Sequence, residues 1–264
     1  MNLQFKKYQG TGNDFIIVDN RSGDFIPAKE LIERMCNRRF GIGADGVIVI
    51  EECTEASFAM HYYNSDGNIS TMCGNGGRCA SSFAYYHNIA PQQHTFMAAD
   101  GLHTAMVKGD IVELSLNDTG LPAVTEAGLF IDTGSPHLVV FADDIAGTEI
   151  AKSGKELRHS PLFAPGGTNV NFAAAREGLL YIRTYERGVE GETLSCGTGA
   201  TAAAICSVFG GHFDIKEANS IEVRTIGGRL TVSFKITDGM VKDVMLEGSA
   251  NLVYEGVASV SRLS

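Results

Sequence analysis

The feature that most constrains the fold is a short device that occurs twice. It is Cys73-Gly74-Asn75-Gly76 in the segment 72–79 and Cys196-Gly197-Thr198-Gly199 in the segment 195–200. Each places a cysteine directly before a Gly-X-Gly turn. Each turn opens a stretch of small and apolar residues, 74–86 and 200–209, that predicts a helix buried on most sides. Glycine beside the thiol allows a ligand to come close to the backbone. The N–H groups of a helix's first turn attract anions and favour the thiolate form of a nearby cysteine.

The two cysteines lie about one domain length apart. The segments around them follow one plan: an Asn in a Gly-rich turn, strands, the Cys-Gly-X-Gly turn, a buried helix, then more strands. In the first half, 3–8, 15–18, 47–51 and 57–63 read as strands, 28–39 as a helix, and 95–98, 102–107 and 111–116 as a meander. In the second, strands are expected at 129–132, 138–141, 170–175, 179–185, 221–225, 230–236, 241–246 and 252–254. Residues 156–159 give a weaker segment, and Glu186 to Thr193 reads as a polar loop. Asn117 to Pro122 is the expected linker. The fold class is therefore α+β, with two pseudo-symmetric domains, each a mostly antiparallel strand barrel around a central buried helix. The active site is expected in the cleft between them. Residues 1–118 with 251–264 would form one domain, and residues 119–250 the other.

Composition removes several function classes. A formal charge of −10 over 264 residues, with Lys and Arg scattered, argues against nucleic acid or an anionic membrane surface as partner. No apolar stretch reaches the ~20 residues of a membrane span, and no signal peptide is recognised, so a cytoplasmic location is expected. Six cysteines in such a chain should be reduced. None stands in a C-x-x-C pair and the histidines form no H-E-x-x-H pattern, so no metal site is expected. A small molecule is the expected ligand.

Two thiols set at helix starts suit one reaction in particular. Taking a proton from the carbon beside a carboxylate gives a poorly stabilised carbanion. A base on one face, an acid on the other and N–H donors on the carboxylate lower that barrier and invert the carbon. A thiol's pKa lies close enough to neutrality for both tasks.

The residues resemble the diaminopimelate epimerase family, of the cofactor-independent amino-acid racemase group. Eight segments carry the likeness, in order: 12–15 (GNDF), 41–46 (GIGADG), 64–67 (NSDG), 73–79 (CGNGGRC), 134–137 (GSPH), 168–171 (TNVN), 185–188 (YERG) and 192–199 (ETLSCGTG). The resemblance implies an isomerase that interconverts LL- and meso-2,6-diaminopimelate toward lysine and peptidoglycan precursors, with no pyridoxal phosphate, other cofactor or metal. It implies a homodimer. It makes Cys73 and Cys196 the acid–base pair and places Gly74, Asn75, Gly197 and Thr198 on the reacting carboxylate. Asn13, Asn64, Asn169, Glu186 and Arg187 would hold the rest of the substrate, with His137 and Ser135 in support. Ser135 stands where many members carry Asn, and the loop 187–192 is one residue longer than the commonest form.

Two other readings fit parts of the pattern. A proline or hydroxyproline racemase would use the same thiol pair, but the Asn set and Glu186-Arg187 favour a longer, doubly charged substrate. A thiol-based redox sensor would use the pair as a regulated disulfide. Cys36, Cys53, Cys79 and Cys206 read as packing residues.

Overall fold

The computed structural model describes residues 2–214 and 220–259. The chain divides into two compact units, Met1–Leu114 with Gly248–Ser264, and Ser115–Glu247. Of the segment 251–264 expected in the first domain, residues 260–264 lie outside the described residues.

The first unit contains β1 (Asn2–Gly10), β2 (Asn13–Asp19), α1 (Lys29–Cys36), β3 (Gly46–Glu51), β4 (Ala59–Asn64), α2 (Gly74–Tyr86), β5 (Gln93–Ala98), β6 (Gly101–Lys108) and most of β7 (Ile111–Ser115). The second contains β8 (Thr119–Gly120), β9 (Ala123–Thr125), β10 (Gly128–Asp132), β11 (Pro136–Phe141), α3 (Ile150–Arg158), β12 (Asn169–Arg176), β13 (Leu179–Glu186), β14 (Gly191–Thr193), α4 (Gly197–Phe209), β15 (Ile221–Thr225), β16 (Gly228–Thr237) and most of β17 (Met240–Ser249). The chain then returns to the first unit as β18 (Asn251–Ser259), antiparallel to β1.

The internal repeat is visible in the strand pairing. In the first unit β1–β2, β3–β4 and β5–β6 are antiparallel, whereas β2–β3 and β4–β5 are parallel. In the second, β10–β11, β12–β13 and β15–β16 are antiparallel, and β11–β12 and β13–β15 are parallel. A parallel pair needs a crossover, and each of the four crossovers carries a helix. The first crossover of each unit holds the outer helix, α1 or α3. The second holds the central one, α2 or α4.

Each sheet is covered on both faces, which explains its apolar strands. Ile16, Val18, Val47 and Val49 pack with Ile32 and Met35 of α1. Ile48 points the other way, toward Gly76 of α2. In the second unit Leu138, Val170, Phe172 and Ala174 pack with Ile150 of α3, while Val139 and Ala173 join the core around α4. Residues 74–84 of α2 are all buried. So are most of 197–207 in α4.

Three local differences from the sequence reading have physical causes. The first helix stops at Cys36, before the expected 39, because Asn37 is extended and its side chain accepts the N–H groups of Arg39 and Phe40. The weak segment at 156–159 is the end of α3, which starts at Ile150. Gly154 hides that helix from propensity, at about 1 kcal/mol against alanine. A Cβ there would lie 2.5 Å from Cβ of Tyr185, so the close approach requires glycine. Within the expected linker, Thr119 and Gly120 pair with Val241 and Met240 as a short strand.

Candidate active site

Both cysteines occupy the N-cap of a central helix. Cys73 has φ −113° and ψ 120° at the start of α2. Cys196 has φ −121° and ψ 116° at the start of α4. Their carbonyls accept the first intrahelical bonds, from Gly77 at 2.7 Å and Ala200 at 2.9 Å. The N–H groups of the first turn precede the first intrahelical bond of each helix, the geometry by which helix N-termini attract anions.

In the first unit a two-residue hairpin turn delivers Asn13 to this end. Thr11 and Gly12 both have positive φ, 49° and 85°, which closes the pair Gly10–Asn13 between β1 and β2. Asn13 Nδ2 donates to Asp45 at 2.7 Å. A carboxylate only accepts, so the amide oxygen of Asn13 is turned the other way. That oxygen lies 3.7 Å from Sγ of Cys73 and accepts from Asn75 Nδ2 at 3.3 Å. Asn75 is oriented in turn by Arg78, whose Nη2 donates to its Oδ1 at 2.9 Å. The same nitrogen donates to Thr11 Oγ1 at 3.2 Å.

Arg78 is fully buried in a helix that carries no other charge. Burial lowers its pKa to about 10, partly offset by the thiols of Cys79 and Cys73. Burial also pushes the Cys79 thiol up to about 12, which suits a packing residue. Cys36 and Cys206 are raised to about 12 for the same reason.

An ion cluster holds the hairpin base. Arg38 bridges Asp14, at 2.6 Å, and Asp45, at 2.8 Å, and Lys7 reaches Asp14 at 2.5 Å and the Gly43 carbonyl. Burial opposes ionisation of Asp14, but the hydrogen bonds from Arg38 and Lys7 outweigh it and hold its carboxyl well below the usual range. Asn64 ends β4 in the turn to Asn68. Its side-chain amide makes no hydrogen bond to protein among the described residues.

In the second unit the surroundings of the thiol are different. Gly199 N–H donates to Cys196 Sγ at 3.4 Å, and Thr198 Oγ1 lies 3.5 Å from the same sulfur. Thr198 also meets His137 Nε2 at 2.9 Å and Ser135 Oγ at 3.3 Å. His137 is wholly buried, and burial, with Arg187 as a second cause, lowers its pKa to about 3. It is a neutral imidazole. Asn169 spans two loops: its Nδ2 donates to the Pro136 carbonyl at 3.0 Å and its Oδ1 accepts Arg187 N–H at 2.8 Å. Both ends of that amide are thus engaged in positioning loops.

Glu186 ends β13, and Arg187 begins the exposed turn to β14. Glu190 fastens this turn by accepting Gly188 N–H at 3.1 Å and pairing with Arg158 at 3.0 Å. The Arg187 guanidinium has no hydrogen-bond partner in the protein among the described residues and is suited to an incoming carboxylate.

Asn13, Gly74 and Asn75 thus gather around Cys73, and Gly197, Thr198, His137 and Ser135 around Cys196, with Asn169 bonded to the loop residues Pro136 and Arg187. Asp45, Arg78 and Asn171, which lie inside the segments that carry the resemblance but are not among the expected site residues, orient these groups. Asn171 had a signal: it stands two residues after Asn169 on one strand and so on the same face. Arg78 had one too, as the lone charge in a helix read as buried. Among the described residues no three His, Cys, Asp or Glu side chains converge as a metal site would require. No described helix is long and apolar enough to cross a membrane.

A sequence model described as diaminopimelate epimerase matches residues 5–123 and 129–253. The chain belongs to the diaminopimelate epimerase family. A family relative, the diaminopimelate epimerase of Flavobacterium psychrophilum, is 45% identical over 256 residues, covering 96% of this chain and 99% of its own. That of Chlorobaculum tepidum is 41% identical over 263 residues, covering 95% and 99%.

Solved structures extend the fold, and the fold only, beyond the diaminopimelate epimerases. A phenazine biosynthesis protein of the PhzF family from Bacillus anthracis superposes with a TM-score of 0.74 at 12% identity, over 98% of this chain and 99% of that one. A probable proline racemase from Agrobacterium radiobacter K84 superposes with a TM-score of 0.71 at 14% identity, over 97% and 93%.

Proposed function

We propose that the chain epimerises LL-2,6-diaminopimelate to the meso form, with Cys73 and Cys196 as a two-sided acid–base pair. The observation that carries this reading is the repetition: each unit puts one cysteine at the N-cap of its buried helix, in the same backbone conformation. One thiolate takes the α-proton, the opposite thiol gives its own to the other face, and the carbon is inverted. One proton leaves and one arrives, so no net charge is transferred. The next turnover in the same direction requires the two sulfurs to exchange their protonation states with solvent or product.

The N–H groups of Gly74, Asn75, Gly197 and Thr198 are the proposed donors to the carboxylate at the reacting carbon, where negative charge develops. Asn64 and Arg187 are proposed to bind polar groups farther along the substrate, and Glu186 an ammonium. Asn13, Asn169, Ser135 and His137 hold the loops and the sulfur environments on which these contacts depend. The proposed steps use thiols alone, which suits a reducing compartment such as the cytoplasm.

We propose further that two copies associate. β18 exposes Leu252, Val253, Tyr254 and Val257, apolar side chains whose exposure supports a protein contact on this strand. Sedimentation at micromolar concentration should give twice the chain mass; a monomer would remove the dimer.

The deciding experiment incubates the enzyme with LL-diaminopimelate in deuterium oxide. The expected result is meso product carrying deuterium at one α-carbon. Epimerisation of proline with no turnover of diaminopimelate would overturn the substrate. Inversion without solvent deuterium, when a single turnover is followed, would overturn the two-base mechanism.

A further inference from the structure

A chain of four side chains leads from the core of the second unit to the sulfur of Cys196. Thr184 Oγ1 donates to Asn171 Oδ1 at 2.9 Å. Asn171 Nδ2 lies 3.2 Å from the Leu138 carbonyl and 3.1 Å from His137 Nδ1. A carbonyl oxygen only accepts, so the nitrogen of this amide must face Leu138, and it therefore also faces His137. His137 Nδ1 must then present its lone pair. The ring proton sits on Nε2, which donates to Thr198 Oγ1 at 2.9 Å. With its oxygen already accepting, the Thr198 hydroxyl is left to donate, and Cys196 Sγ lies 3.5 Å away. Ser135 Oγ, 3.0 Å from Nε2 and 3.3 Å from Thr198 Oγ1, can complete the hydroxyl ring without reversing it. Asn171 and His137 are fully buried, and Thr184 is 3% exposed, so water does not compete for the bonds at the inner end of the chain; Thr198 and Ser135 are half-buried.

We propose that Asn171 is a positioning residue that fixes the His137 tautomer and thereby aims the Thr198 hydroxyl hydrogen at Cys196, stabilising its thiolate. The inference deepens the acid–base reading of Cys196 and rests on it for its catalytic meaning. Its physical content is the direction of four hydrogen bonds. In this arrangement His137 accepts no proton from Cys196, because its only lone pair is spoken for by Asn171. The imidazole works as a fixed neutral donor, and its burial beside Arg187 keeps it uncharged.

Asn171→Asp reverses the device with almost no change of shape. A carboxylate can only accept from Nδ1, which moves the ring proton there and leaves Nε2 as an acceptor. The Thr198 hydroxyl then turns to Nε2 and away from sulfur. Nitrogen-15 spectra of histidine-labelled protein at neutral pH report the tautomer directly. The expected result is Nε2–H for His137 in the wild type and Nδ1–H in Asn171→Asp. Iodoacetamide alkylation at the same pH, followed by peptide mass spectrometry, should slow about tenfold at Cys196, the change that one unit of thiol pKa makes in thiolate fraction. Cys73 should react at its wild-type rate.

Thr198→Val gives a second route should the aspartate variant fold poorly. It should leave the His137 tautomer as Nε2–H and slow Cys196 by a similar factor. A wild-type Nδ1–H imidazole, or unchanged Cys196 alkylation in whichever variants fold, would overturn the proposal. Neither readout uses a substrate. An enzyme that proved not to act on diaminopimelate would therefore overturn the proposed function while leaving this result standing.

Discussion

Cys73 and Cys196 occupy the same position in the same device, yet their sulfurs meet opposite partners. Cys73 lies beside an amide oxygen, that of Asn13, held in place by Asp45 on one side and by Asn75 and Arg78 on the other. Cys196 meets donors, the N–H of Gly199 and the hydroxyl of Thr198 backed by a neutral His137. An acceptor favours the protonated thiol and a donor favours the thiolate. The first half-site is oriented by charged groups and the second by neutral ones. Repetition therefore supplies two sulfurs in matched backbones, while the side chains around them give each sulfur its own hydrogen-bond surroundings.

The comparison breaks most plainly at the sulfurs. Cys73→Ala and Cys196→Ala should each lower kcat for epimerisation by about 10³-fold, because acid and base are both needed in each turnover. Optical or NMR assay of LL and meso forms measures this. A variant retaining a tenth of the wild-type rate would show that the two are not partners.

The third residue of each central helix gives the next largest effect. Gly199→Ala puts a Cβ 2.5 Å from Asn171 Oδ1 and 3.3 Å from Cys196 Sγ, in a buried and fully bonded site. It should cost about 2 kcal/mol by urea denaturation. Gly76→Ala meets Met60 Cε at 3.2 Å and Ile48 Cδ1 at 3.3 Å, both ends of side chains that can shift. It should cost under about 1 kcal/mol. Equal costs would mean that the rigid network around Cys196 is softer than its bonds imply.

Arg78→Met tests the charged half-site. It removes the donor that orients Asn75 and the cation beside Cys73. Alkylation of Cys73 at neutral pH should slow about tenfold, equivalent to one unit in thiol pKa, with Cys196 unaffected. Arg78→Lys should restore part of the rate, since it returns the charge without the planar fork. A matching change at Cys196 would argue for a general loss of structure.

The smallest effect expected is at the hairpin base. Asp14 has a folded-state pKa below its unfolded value, so its ionised form stabilises the native state at pH above the unfolded value of about 3.9. That contribution is lost as pH falls through the folded value. Asp14→Asn should therefore cost about 1 kcal/mol at neutral pH, and the gap to wild type should close in acid. Urea midpoints across a pH series measure it. A gap that widened toward acid would reverse the assignment.

Much of this was legible in the sequence, for reasons that differ by residue. The two central helices could be read because Gly74–Tyr86 and Gly197–Phe209 are nearly uncharged and therefore need a shell around them. The apolar runs Phe15–Val18 and Val47–Ile50 marked strands covered on both faces. α3 was nearly lost, because Gly154 weakens its propensity while the ring of Tyr185, distant in sequence, demands the glycine. Asn169 is a ligand candidate through the resemblance alone. The contacts of its amide with Pro136 and Arg187 join residues distant in the chain, which no spacing in the sequence reveals.

By itself the sequence determined the repeated plan, the central helices and the placement of a thiol at each helix start. Those follow from local composition and turn chemistry, which act over a few residues. The tertiary structure alone decided what each sulfur faces. Asn13 reaches Cys73 across sixty residues of chain, and Asn171 reaches His137 across thirty-four. The direction of a hydrogen bond depends on which buried donors and acceptors the fold brings together, and only folding brings those groups into contact.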